Sequence, residues 1–366
     1  MTTVPSELWP VVYRLATSRE WPPGSEIDIN GFFELANRQY LLPLLMADSN
    51  LPSVLSEAKP RYRALNALYS RRYELSQAAI GELQRVIGSD SFLFLKGSYY
   101  RHRIYARPEF RPMTDIDIFV PKSSRRSFMR QLAAAGYLRK YSGYGAAFSP
   151  GCHEVSVVIK GVSIDIHRSY AQPVRNAIDY DALWQRREWF VRDNVCGNRL
   201  SPVDAILSHA FNGLAQDEFS TQLCRYVDFY MLLQQHENEL NACVALARKW
   251  GIERPLFGAL HVTSTLFPSA RTMVVTDSID QLLDAKTRRF LISRILPDPS
   301  AEHSGHSRGR LLQLLRKFLL IDHAWRRFAF VVYYAYETGV GLISEWIVRQ
   351  HEQLPARHMI KRIAPK

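Results

Sequence analysis

Residues 92–120 read FLFLKGSYYRHRIYARPEFRPMTDIDIFV, and this stretch decides the fold. Ser91 to Lys96, SFLFLK, is a short apolar run of the kind that forms a buried strand. Gly97-Ser98 follows it directly. Ile116 to Val120 alternates Asp117 with apolar neighbours and halts at Pro121, which marks a second strand. Further out, Ser123 to Ala135 reads as a serine-capped helix ending at Gly136. Glu154–Lys160 and Val162–His167 flank Lys160-Gly161, a hairpin signal.

Both ends of the chain change period. Gly31–Met46 and Arg71–Ile87 place apolar residues three and four apart, as amphipathic helices require. Pro43 is expected to kink or end the first, and a Gly-Ser-Asp turn at 88–90 to stop the second. From Ser201 the pattern is helical again, with Ser201-Pro202-Val203-Asp204 as a capped start. Pro297–Gly309 reads as a loop, and there is no internal repeat. The fold class expected is α+β, with a short mixed sheet of three to five strands flanked by helices. The division expected is a helical N-terminal segment over 1–74, an α/β core over 75–195 and a helical C-terminal domain over 196–366.

Composition narrows the class. A chain of 366 residues that is 47% apolar can bury a real core, which excludes disordered, collagen-like and disulfide-scaffold proteins. The formal charge of +12 draws polyanions such as nucleotides, nucleic acid or an anionic membrane surface. Cys152, Cys196, Cys224 and Cys243 are scattered, with no CxxC, which fits the reducing cytoplasm rather than a zinc module. No secretion signal is evident at the N-terminus. Phe328–Ile343, the most apolar stretch, is too short for a membrane span and reads as a buried helix. His303-x-x-His306 lacks supporting acids and is not expected to bind metal.

Three carboxylates carry the chemistry. Asp115 and Asp117 stand two apart, so on a strand both point to one face. Asp165 lies mid-strand between Ile164 and Ile166, and pairing its strand beside the first brings it next to the other two. Crowded carboxylates repel, and hard oxygen donors of this kind suit Mg2+ or Mn2+, which in turn hold phosphate oxygens. Gly97 allows close approach to a phosphate, and the Ser98 hydroxyl offers it a hydrogen bond. The basic, aromatic run YYRHRIYARPEFR between Ser98 and Pro112 reads as a lid over a triphosphate, an RNA contact or a solvated loop. His209, Arg225 and Asp228 read as a buried polar cluster bracing the helical domain.

The order strand, Gly-Ser, Asp-x-Asp strand, later carboxylate resembles the DNA polymerase beta-like nucleotidyltransferase superfamily. More narrowly, Lys96-Gly97, Tyr105, Arg111, Asp115-Ile116-Asp117 and Ile164-Asp165-Ile166-His167 look like the motifs of a bacterial family of uncharacterised nucleotidyltransferases. SPVDAILSHAFNG and CRYVDFYMLL, within 201–233, resemble its helical segment. The resemblance implies that Asp115 and Asp117 hold metals that bind an NTP, with Asp165 completing the second and helping to deprotonate an acceptor hydroxyl. Gly97 and Ser98 would cradle the phosphates, with Lys96 or Arg111 offsetting charge. His167 would assist beside Asp165 or simply pack there. The function implied is transfer of an NMP from an NTP to a small molecule, a peptide or protein, or an RNA, with release of pyrophosphate. A non-catalytic nucleotide- or nucleic-acid-binding protein, or a toxin–antitoxin-type interaction protein, is the alternative on the same fold.

Overall fold

The computed structural model describes residues 8–17, 28–48, 51, 53–137, 154–170, 175–219, 221–270, 280–296 and 310–334. Its frame is one mixed sheet of β1 (Leu93–Phe94), β2 (Asp115–Phe119), β3 (Glu154–Ile159), β4 (Val162–His167), β5 (Glu188–Arg192) and β6 (Val195–Arg199), in the order β3-β4-β2-β1-β6-β5. β2 and β4 run parallel, while β3 and β4 form the expected hairpin. The fold class is therefore α+β, with six strands rather than three to five. The additional pair is the β5–β6 hairpin, turned at Asp193 and Asn194 with φ of +50° and +65°. Two adjacent left-handed residues are what a tight hairpin demands, and Asp and Asn tolerate them. Through β6 the sheet crosses the boundary expected at residue 195.

Strand alternation separates the two faces. Ile116, Ile118, Ile164, Ile166, Val157 and Ile159 are all buried in one apolar cluster. That cluster also takes in Ala79, Ile80 and Leu83, and Phe128 and Leu132. These come from two helices that cover this face, Arg63–Ile87 and Arg125–Ala134. Residues of the other parity, Asp115, Asp117, Asp165 and His167, point the opposite way, toward the helical part of the molecule.

The helices in chain order are α1 (Leu8–Thr17), α2 (Ile29–Arg38), α3 (Leu42–Ala47), α4 (Ser53–Ala58), α5 (Arg63–Ile87), α6 (Lys96–Arg103) and α7 (Arg125–Ala134). After the sheet residues come α8 (Tyr180–Gln185), α9 (Pro202–Ser208), α10 (Leu223–Gln235), α11 (Leu240–Trp250), α12 (Glu253–Leu266), α13 (Ala285–Arg294) and α14 (Arg310–Leu319). Ahead of Pro43 the expected helix over 31–46 is interrupted, between Arg38 and Leu42, and Pro43 itself opens a new helix. It stands in the first turn of α3, where its missing N–H has no acceptor to lose. A second apolar cluster joins Phe32, Phe33 and Leu45 of the N-terminal helices to Leu207, Tyr226 and Leu260 of the C-terminal ones. The two helical ends of the chain thus share one core.

Two further expectations are corrected. The run YYRHRIYARPEFR is neither lid nor solvated loop, because α6 takes up its first half. Tyr99, Tyr100, Arg101, His102, Ile104 and Tyr105 are each 4% exposed or less. Arg192 from β5 fastens the end of α6 by donating to the carbonyls of His102, Tyr105 and Ala106. Nor is the stretch from Phe328 simply buried. Residues 324–334 are helical, yet Phe328 and Val331 are 72% and 54% exposed while Phe330 is buried, so one side alone meets the core. Residues 335–343, Cys152 and the His303–His306 motif lie outside the described residues. Among the described residues no helix is long and apolar enough to cross a membrane.

Candidate active site

The parallel register of β2 and β4 sets Asp117 directly beside Asp165, and Asp115 beside Ser163. One carboxylate oxygen from each of Asp115, Asp117 and Asp165 lies within 4.8 Å of the others. The three acids reach a common point because side chains two apart on a strand share a face.

Asp117 is the most enclosed of the three, at 5% exposure. Its Oδ1 accepts from Lys96 Nζ at 2.6 Å and from His167 Nε2 at 2.7 Å, and its backbone N–H donates to Ser98 Oγ at 3.2 Å. Burial pushes its carboxyl upward, but His167 and Lys96 outweigh that and hold it below the ordinary value. The other ring nitrogen of His167 lies 3.3 Å from Glu154 Oε2, on the hairpin partner strand. Asp115 goes the other way: burial, then the charges of Asp117 and Asp165, raise its carboxyl. Ser163 Oγ donates to Asp165 at 3.3 Å.

Among the described contacts, Lys96 and His167 both meet Asp117, and His167 also meets Glu154. The surplus of hard oxygen donors at the Asp115–Asp165 side is chemistry that a divalent cation fits.

Lys96 opens α6 with a left-handed φ of +45°, a conformation costly for any residue with a Cβ. The helix hydrogen bonding begins at Tyr99 N–H to Leu95 O. The N–H groups just before it, at Gly97 and Ser98, have no acceptor within the helix. A Cβ at Gly97 would press on Met113 at 3.2 Å, so glycine also keeps this end close to the segment entering β2.

A cleft of about 270 Å³ runs from this point to the helical side. Lys96, Gly97, Asp115 and Asp117 line it, as do Asn212, Gln216, Arg225 and Asp228. His209, Asn212 and Gly213 of the lining belong to a π-helical turn, His209–Leu214, a geometry that recurs at functional sites. A Cβ on Gly213 would come 2.8 Å from His209 Nδ1, so glycine is what lets the buried imidazole fit. His209 Nε2 donates to Arg225 O, and burial lowers its pKa to about 4, keeping it neutral.

Arg111 also lines the cleft, but its guanidinium is fully engaged. Nε and Nη2 donate to the two oxygens of Asp228 at 2.8–2.9 Å, and Tyr105 OH adds a third bond at 2.8 Å. Burial opposes charge on Arg111, and Asp228 overrides it. Arg225 pairs with Asp217 at 2.6 Å.

A family model described as an uncharacterised nucleotidyltransferase matches residues 25–268. The chain belongs to that family. Comparison with curated proteins and with solved structures finds no match. The nucleotidyltransferase match begins ahead of α2 and ends just after α12, so it takes in α2, α3 and α4 together with the sheet, while α1 lies ahead of it.

Ser98 is a buried hydroxyl bonded to the β2 backbone, while Lys96, Gly97, Asp115, Asp117 and Arg111 all reach the cleft. Asp165 and His167 stand on β4, on the other side of β2. The sequence reading does not include Glu154, although the hairpin register places it opposite His167. Nor does it include Tyr40 and Asn212, which line the cleft from α2 and the π turn.

Proposed function

We propose that this nucleotidyltransferase moves an NMP from an NTP to a hydroxyl-type acceptor and releases pyrophosphate. The observation that carries the reading is the convergence of Asp115, Asp117 and Asp165 within 4.8 Å at the mouth of a cleft that begins at a helix N-terminus. Asp115, Asp117 and Asp165 would hold Mg2+ or Mn2+, which when bound neutralises phosphate oxygens and the developing charge of an in-line displacement. Gly97, with the start of α6, receives the outer phosphates, and Lys96 adds positive charge there. His167, wedged between Asp117 and Glu154, keeps the Asp117 carboxylate oriented. Asp165, on β4, would accept the proton of an acceptor hydroxyl. Scattered thiols, Cys196, Cys224 and Cys243 being free, support a cytoplasmic location. The acceptor class is a small molecule, a peptide or protein, or an RNA.

The test is incubation with each α-32P-labelled NTP and Mg2+ or Mn2+, together with small-molecule, protein and RNA fractions. Label enters one fraction with the intact enzyme and none with Asp115→Ala/Asp117→Ala. Label transfer that survives the double substitution would defeat the reading.

A further inference from the structure

Among the described residues, seven other than glycine have a positive φ. Lys160, Asp193 and Asn194 sit in hairpin turns, which require it. The other four are Tyr40, Lys96, Glu218 and Phe219. Tyr40 and Lys96 line the cleft, and Glu218 and Phe219 follow directly on Asp217, which also lines it. Left-handed strain in residues other than glycine, outside hairpins, clusters at functional sites.

Tyr40 is the sharper case. It follows α2 at φ +57°, with Leu41 N–H bonded back to Ala36 O, a helix end that glycine usually occupies. A half-buried tyrosine stands there instead, on the cleft wall. On the same cleft lining, Asn212 is 7% exposed and its Nδ2 has no hydrogen-bond partner. Gln216 Oε1 accepts from the buried Arg175, which leaves its NH2 group to offer. The charges on this wall are already matched, Arg111 by Asp228 and Arg225 by Asp217.

An aromatic ring with neutral amide donors and no spare charge does not suit a phosphate. It suits a flat heterocycle bearing carbonyl oxygens or ring nitrogens. The sheet order says which substrate brings it. The cleft opens on the α6 side of β2, whereas Asp165 lies on the β4 side and is not on the cleft wall. On the transfer reading, a donor held in the cleft leaves Asp165 and the β4 flank to the acceptor.

Resting on the nucleotidyl-transfer reading, we propose that the wall formed by Tyr40 and the π turn at Asn212 is the nucleobase site of the donor NTP. Tyr40 stacks on the base, and Asn212 with Gln216 bonds its edge.

The test compares binding of each of the four NTPs with that of inorganic tripolyphosphate, in Mg2+, using the full chain. The wild type should bind at least one NTP about tenfold or more above tripolyphosphate, the scale of one stacked base. Tyr40→Gly and Asn212→Ala should bring that NTP down to the tripolyphosphate level without weakening tripolyphosphate itself. Tyr40→Phe, which keeps the ring, should recover most of the loss. Glycine relieves the left-handed residue but gives up the ring's packing on the core, so Tyr40→Gly is measured well below its own melting temperature, whereas Asn212→Ala, which removes an unpartnered donor, should not melt much below wild type. If both simply melt earlier and lose both ligands together, the residues are structural and the inference is overturned. It is equally overturned if wild type binds NTPs no better than tripolyphosphate, which leaves nucleotidyl transfer standing. Absence of binding by all five ligands would instead remove the transfer reading, and the base site with it.

Discussion

Two carboxylate sites border one cleft and are built to opposite ends. Asp228 is closed: it is 0% exposed, and Arg111 and Tyr105 use both of its oxygens. The Asp115–Asp117–Asp165 site is open, with three acids, one lysine and one histidine, and an Asp115 carboxyl raised by its surroundings. A carboxylate with matched partners fastens the fold. A cluster left short of positive charge is costly to keep and waits for a ligand.

The largest expected effect is on the open side. Asp115→Ala/Asp117→Ala should lower nucleotidyl transfer on the order of a thousandfold or more, the cost of losing stabilisation of developing charge. In metal-free buffer the melting temperature of Asp115→Asn should not fall, since the substitution relieves repulsion. A large drop would show that the triad is a structural knot like Asp228.

On the closed side the balance reverses. Asp228→Asn strands Arg111 in the interior and should cost about 3–5 kcal/mol of stability, read by chemical denaturation. A variant as stable as wild type would break the comparison from the other direction.

A smaller effect concerns pH. His209 is held neutral by burial, between Tyr100 and Phe229, with its pKa lowered to about 4. The unfolded chain charges near pH 6.5, so this group's stability is complete above that value and is lost as pH falls toward about 4. Its share is at most about 3 kcal/mol. Denaturation midpoints measured from pH 7.5 to 4.5 should fall with acid, and less steeply in His209→Gln.

Much of the site was legible because strand period and ladder register are short-range properties. Asp115 and Asp117 two apart, and Asp165 between two buried isoleucines, needed only the pairing of β2 with β4 to converge. The apolar alternation that buries Ile116 and Ile164 is the same pattern that turns the acids outward. What stayed hidden depends on longer-range packing. The basic and aromatic residues after Gly97 looked like a solvent-facing lid, but Arg101 stacks over Tyr73 and donates to Arg111 O, and α6 vanishes into the core. Arg111 looked like a phosphate ligand until Asp228, more than a hundred residues later, met it. Tyr40 carried no signal at all, since a left-handed φ at a tyrosine cannot be read from residue type.

The most direct test of the open-versus-closed contrast is a calorimetric titration of Mn2+ into the NTP-bound chain, for wild type, Asp117→Asn and Asp165→Asn. Saturable binding by wild type that is lost or strongly weakened in both variants is the expected result. Mn2+ isotherms indistinguishable among the three proteins would contradict the claim that these acids form a cation site.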